Sequence, residues 1–476
     1  MTYTLKLKRG LDLRIEGAVT PDAPVETVSP AAVAVCPGDF EGFLPRLDVR
    51  EGDAVAQGQP LMHDKNNPEI KLCSPLTGAV ESVVRGERRK ILRVVVKASD
   101  DAVAAPAALS ADDPMQLRQA MQLSGLWAEM RQRPYDIVPD PAVEPRDIFV
   151  TAFDSAPLAL PLEKHPAVSQ QRLDAAVAAL SQLTAGHLYV CTRRDFALNV
   201  GAPALHYVVD GPHPAGNAGV QIANIAPVNK SETVWTLSLV TLCRIGQLII
   251  EGRRGFDTLV GLCGSEVKRP HAIATVDGAD IAQLVRGQLK DSGAHLRIIS
   301  GNVLTGVKVD VDDYLRFPYR QITVIPEGDD VDEFMGWASL SPAKMSVSRS
   351  FPFSRFTRLF RPDARMLGGY RAMIMSETAD KVMPMDIMPE YLLKAIISRD
   401  IDRMEALGIY YTRWRRRTLR LPNMSIRRRP KCRSSYARGL IISEKKQNKR
   451  LYVTDKEVSR PCTSAFSAGR TVSSAA

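Results

Sequence analysis

Three groups of residues in this chain have types and spacings that could carry chemistry. The first is the loop 211–219, GPHPAGNAG, between a strand pattern ending at Val209 and a helix pattern. Backbone N–H groups at the start of a helix can cradle a phosphate. Pro212 and Pro214 remove two donors, however, and the spacing G-x-G-x-x-G is absent. Gly211, His213 and Gly216 are the residues a degenerate nucleotide loop would use. A rigid turn, with His213 as a hydrogen-bonding support, is the competing account. The second group is the thiols and imidazoles. Cys36, Cys73, Cys191, Cys243, Cys263, Cys432 and Cys462 form no C-x-x-C pair, and the seven histidines show no metal-ligand spacing. Scattered thiols of this kind usually pack in a reduced interior. The third group is the arginine runs 415–417 and 427–429, which could contact phosphates of nucleic acid or lipid. No G-x-S-x-G, H-E-x-x-H or Walker lysine is present, so no catalytic constellation assembles.

The elements that must position these groups start with a repeat. Val49, Gly52, Asp53, Val55, Gly58, Gln59 and Leu61 form one half-motif, and Ser74, Pro75, Gly78 and Val80 form a second. Each half predicts strand, glycine turn, strand. Two such halves resemble the flattened barrel of biotinyl and lipoyl carrier domains, which present a lysine on the hairpin between the halves. Here that hairpin is Met62-His63-Asp64-Lys65-Asn66-Asn67-Pro68. Lys65 lacks flanking methionines and sits beside Asn-Asn-Pro, so it reads as a surface lysine. The hairpin is better viewed as a candidate partner-contact loop.

At 476 residues the chain exceeds one hydrophobic core, which serves about 250–300 residues. No run of about 18 apolar residues exists, so no transmembrane helix is expected. The closest, 234–250 (VWTLSLVTLCRIGQLII), is interrupted by Arg244 and Gln247 and reads as a buried helix. The first 17 residues lack an apolar signal core, so nothing argues for secretion. The net charge of +10 is unevenly placed. Residues 411–476 hold 18 Lys+Arg against 3 Asp+Glu, net +15, leaving residues 1–410 at net −5. An acidic body argues against a nucleic-acid partner.

The pattern predicts an α/β multidomain fold. Residues 1–26 are N-terminal strands, at 4–8 and 11–15. Residues 27–105 are the barrel-sandwich, and 106–145 a linker with a helix over 115–131. Residues 146–262 are a Rossmann-like α/β domain: strands at 147–153, 187–191 and 207–209, a helix at 170–183 and one through Trp235. Residues 263–330 are a β-grasp unit with a helix at 280–287. An irregular segment and C-terminal helices occupy 331–410, with Pro389 at a helix start.

With these elements in order, the chain resembles the A component of the Na+-translocating NADH:quinone reductase (Na+-NQR). The carrying segments are KRGLDLRIEG (8–17), HDKNNPEIKLCSPLTGAVESVVRGERR (63–89), RQRPYDIVP (131–139), IFVTAFDSAPL (148–158), DGPHPAGNAG (210–219), RIISGNVLTG (297–306) and ADKVMPMDIMPEYLLKAIISRDIDRMEALGIY (379–410). The resemblance implies a peripheral protein on the cytoplasmic face of the bacterial inner membrane. It would dock on the membrane-embedded B component, among the other Na+-NQR subunits. It would bind no cofactor itself, while the complex uses NADH, flavins, Fe-S, quinone and Na+. It also implies a middle similar to the flavin-binding subunit of respiratory complex I, with the 211–219 loop as a lost flavin site, and an SLBB-like β-grasp unit. Quinone contact is implied near Gly38 and Phe40 and near Arg133, Pro134 and Tyr135. Phe40 and Tyr135 would stack on the ring and Arg133 would hydrogen-bond a carbonyl. An Rnf-type electron-transport protein is the runner-up, but its cysteine motifs are missing. A cofactor-free barrel-sandwich scaffold is the third reading.

The family pattern departs after Tyr410, where an acidic helical end is expected. Back-translated with the permitted codons ACG AGG TGG CGC CGG AGG ACT TTG CGC, Thr412–Arg420 reads EVAPEDFA when entered two bases later. The basic tail is consistent with a frameshift, on which residues 411–476 are expected to be non-native and disordered.

Overall fold

The structure is a computed structural model and describes residues 2–99, 104–291, 293–329, 341–345, 353, 356–365 and 377–411, with the strand pair 420–421 and 424–425. Most of the irregular segment and nearly all of the basic tail lie outside the described residues.

The two half-motifs fold as a barrel-sandwich. One sheet orders Ala32–Val35, Ile91–Ala98, Gly78–Arg85 and Ala54–Val55; the other orders Pro45–Leu47, Pro60–Asp64 and Lys71–Cys73. The turn glycines Gly52 and Gly58 have φ of 90° and 84°, a region most side chains avoid. At the hairpin tip, the buried Asp64 carboxylate accepts from the N–H groups of Leu44 (2.6 Å), Asn66 (3.1 Å) and Asn67 (3.0 Å). That network fixes the turn on which exposed Lys65 sits.

The α/β layer is a six-stranded sheet ordered Thr2–Lys6, Leu205–Asp210, Leu188–Thr192, Asp147–Thr151, Val234–Ser238 and Arg131–Arg133. The first five strands run parallel and the last antiparallel. The expected helix through Trp235 is corrected here: Val234–Ser238 is a strand, and the helix is Leu239–Glu251. A central parallel strand is buried on both faces, so its apolar run merges with the next helix in sequence. Ser238 caps that helix through Thr241 N–H (3.2 Å), and Gly252 closes it at φ 67°. The helix expected over 115–131 is likewise shorter, Pro114–Leu123, and the chain then turns into strand Arg131–Arg133.

The second six-stranded sheet orders Val307–Val309, Leu296–Ser300, Gln321–Pro326, Asp257–Cys263, His271–Val276 and Val25–Thr27, with helix Ile281–Val285 packed on it. Strand Asp257–Cys263 belongs to this layer, so the division falls before residue 257 rather than at 262. Residues 1–26 are not a unit of their own either. Thr2–Lys6 edges the α/β sheet, Val25–Thr27 edges the grasp sheet, and residues 11–15 form no strand, only a bridge from Ile15 to Phe360. Edge pairing with a distant layer leaves no local signature.

Helices Pro389–Ser398 and Ile401–Ala406 close a small core with Ile409 and Tyr410, against which Tyr135 packs. Pro389 opens its helix, as expected. No helix among the described residues is long and apolar enough to cross a membrane.

Candidate functional site at the three-layer junction

Barrel, α/β layer and grasp sheet meet around a cleft with a volume of about 70 Å³. Cys36, Asp39, Phe40, Cys73 and Pro75 come from the barrel, Glu129, Arg244 and Arg254 from the α/β layer, and Asp277 and Leu315–Arg320 from the grasp layer. The element ends that converge here carry its polar groups.

Glu129, fully enclosed, is the hub on one wall. Its Oε1 accepts from Arg254 Nη2 (2.5 Å) and Arg244 Nη1 (3.3 Å), and its Oε2 from Thr241 Oγ1 (3.0 Å). Burial opposes its ionisation, but Arg254 and Arg244 outweigh that and hold the carboxyl below its usual range. Asp277 meets Arg244 Nη1 at 2.7 Å. On the other wall, Asp39 receives Arg316 in a fork: Nε to Oδ2 at 2.9 Å and Nη2 to Oδ1 at 2.7 Å. The next residue, Phe317, stacks on Phe40 with centroids 4.8 Å apart and planes at 15°. Arg131 lies over both rings, at 5.9 Å and 5.7 Å, and donates to Asp39 O (3.0 Å).

Cys36 and Cys73 also line the cleft, and burial pushes both thiols up to about 12. They are neutral thiols at pH 7, not nucleophiles. Cys191, Cys243 and Cys263 are also free and buried, as packing cysteines should be. His165 is pushed down to about 2, by burial and then by Arg320 and Arg244, so it stays neutral.

The residues expected to contact quinone divide between two places. Phe40 lines the cleft; Gly38 sits in the 3₁₀ turn Pro37–Asp39 just before it. Arg133, Pro134 and Tyr135 are not among the cleft-lining residues. Arg133 is buried, with Asp136 at 3.5 Å, and Tyr135 packs on the C-terminal helices. Sequence reasoning missed Glu129, Asp277, Arg316, Phe317 and Arg320, and gave Asp39 no role of its own. One available signal was Arg244 within an apolar helix pattern, because such an arginine needs a buried carboxylate.

The loop around Gly211, His213 and Gly216 is elsewhere, and its donors are spent within the chain. His213 N–H goes to Asp12 (2.8 Å) and Gly216 N–H to Ser155 Oγ (2.8 Å), while Ser155 Oγ also meets His213 Nδ1 (3.0 Å). The N-terminal segment lies on the loop: Leu11 N–H donates to His213 O (2.8 Å), and a Cβ on Gly10 would come 2.5 Å from that oxygen.

The three layers coincide with three matched family domains. Residues 5–99 match the NqrA N-terminal barrel-sandwich hybrid domain, 113–254 the NqrA second alpha/beta domain, and 259–311 the NQRA C-terminal domain. The A component of the Na(+)-translocating NADH-quinone reductase of Neisseria meningitidis serogroup A is 36% identical over 420 residues, covering 85% of this chain and 92% of the relative. The chain belongs to the NqrA family of Na(+)-translocating NADH-quinone reductase components. NqrA proteins of the same description from Hahella chejuensis and Yersinia pestis are 37% and 34% identical, each over 85% of this chain and 92% of the relative. Among solved structures, an NAD+-reducing [NiFe]-hydrogenase in the H2-reduced state aligns with 71% of this chain and 62% of that chain. Its TM-score is 0.36 at 12% identity, too distant a likeness to bear on function. Within this NqrA chain, the barrel hairpin is organised by Asp64 and its three N–H donors.

Proposed function

We propose that this chain is the peripheral docking and quinone-interaction component of a Na+-translocating NADH:quinone oxidoreductase. The complex couples NADH oxidation and quinone reduction to Na+ export, and this protein sits on the cytoplasmic face, docked on the membrane-embedded B component. The chain has no redox centre of its own. Support for that reading comes from the 211–216 loop, whose N–H groups are engaged by Asp12 and Ser155 instead of facing a nucleotide. The exposed hairpin at Lys65 is a candidate contact with a partner in the complex.

The observation that carries the quinone reading is the Phe40–Phe317 pair at the cleft, with Arg131 above it. A stacked aromatic pair with an adjacent guanidinium suits a flat ring bearing carbonyl oxygens. Arg133, Pro134 and Tyr135, which follow Arg131 after Gln132, lie outside the cleft lining and form a second, separate proposed contact. Photo-crosslinking of the purified complex with an azido-quinone tests this. Labelled peptides should include Phe40 or Phe317; labelling confined to the membrane-embedded components refutes it.

A further inference from the structure

The cleft holds more positive than negative charge. Four guanidiniums line it, those of Arg244, Arg254, Arg316 and Arg320, against three carboxylates, Asp39, Glu129 and Asp277. The pairing is specific. Asp39 takes Arg316, while Glu129 and Asp277 share Arg244 and Arg254. Arg320 is left over: among the described residues it makes no ion pair, and its one side-chain hydrogen bond runs from Nη2 to Ser238 Oγ at 3.3 Å. Ser238 is the N-cap of the 13-residue helix Leu239–Glu251. The positive end of that helix therefore adds to the same field.

We propose that this cleft binds a small oxyanion, a phosphate or carboxylate group, with Arg320 as its principal cation. A guanidinium is never neutralised at physiological pH, so its charge must be met by solvent or by a ligand. Burial, and then the neighbouring Arg244, pull its pKa down to about 10, against the weaker attraction of Glu129, Asp277 and Asp154. Arg320 lines the cleft, and a guanidinium has the fork geometry that matches an oxyanion. The site is independent of the quinone reading, because it rests on charge at the Arg320 wall and not on the aromatic pair.

The test is calorimetric titration of the full-length chain with inorganic phosphate and with pyrophosphate, at constant ionic strength and without quinone. Saturable binding is expected, weakened about tenfold or more in Arg320→Gln, the loss of a charge-assisted hydrogen bond. Arg320→Lys keeps the charge but not the fork, so a smaller weakening is expected; this variant decides the matter if Arg320→Gln does not fold. Absence of saturable binding by both anions overturns the proposal, as does wild-type affinity in either variant. Binding to phosphatidylglycerol vesicles without binding to either free anion overturns it too.

Discussion

Asp277 Oδ2 lies 2.7 Å from Arg244 Nη1, and through this contact the grasp sheet is bonded to the buried interior of the α/β layer. Arg244 is 1% exposed and also serves Glu129, so each partner of the cluster answers for another's charge. The same arrangement recurs at Asp39 and Arg316, between barrel and grasp sheet.

Removing Arg244 should therefore cost far more than removing Asp277. Arg244→Met leaves Glu129 buried beside Arg254 alone, and breaking a buried pair from one side costs about 3–5 kcal/mol. Asp277→Asn leaves Arg244 with Glu129, and its own side chain is partly solvated. Urea unfolding of both variants should place the Arg244 midpoint well below the Asp277 midpoint; equal midpoints would show that the cluster does not act as a network.

Helices Gln170–Leu180 and Leu239–Glu251 cross at Gly246, where an added Cβ would fall 1.9 Å from Arg172 O. Backbone cannot yield there as a side chain can, so Gly246→Ala should destabilise by roughly 1–3 kcal/mol or more. A Cβ at Gly38 would meet nothing within 4 Å, so Gly38→Ala should leave the thermal midpoint almost unchanged. Scanning calorimetry of the two variants checks the contrast.

How much of this was legible in sequence depends on the range over which each feature is encoded. The barrel was legible because Gly52, Gly58 and Gly78 recur at positions where turns and close strands need them. Gly78 would put a Cβ 1.9 Å from Lys97 O. The grasp helix at Ile281–Val285 and the start at Pro389 were legible for similar local reasons. The strand Val234–Ser238 was not, because a doubly buried strand and a buried helix share one apolar pattern. The cleft was almost invisible. Asp39 and Arg316 are 277 positions apart, and ordinary charged residues at such separations make no motif. Phe40 was anticipated from family resemblance alone; its partner Phe317 was not.

Acid should loosen the grasp sheet through Glu327. Glu327 is gripped by Arg297, with Nε at 2.8 Å from Oε2 and Nη2 on Oε1, and by Lys308 at 3.5 Å. The Arg297 hydrogen bond, above all, draws its pKa down to about 2. A depressed folded-state pKa contributes stability that is present above the unfolded value, about 4.3, and is lost as pH falls towards 2. Glu327→Gln should be less stable than wild type at pH 7, and the gap should narrow between pH 4 and pH 2. A gap that is constant with pH would refute the assignment.

The C-terminal core closes at Ile409 and Tyr410, where Tyr410 Oη donates to Glu405 Oε1 at 2.9 Å. The change from net −5 over residues 1–410 to net +15 beyond them falls at that same point. If a shifted reading frame produced the basic tail, a chain stopped after Tyr411 should unfold at the same temperature as the full-length protein. It should also lose any salt-dependent attachment to DNA, since that attachment scales with the number of phosphate-neutralising cations. Resequencing the gene across the Tyr410 codon supplies the independent check. A confirmed, uninterrupted frame through the final Ser-Ser-Ala-Ala would refute the shifted frame, and a lower melting temperature for the shortened chain would show that the tail contributes to stability.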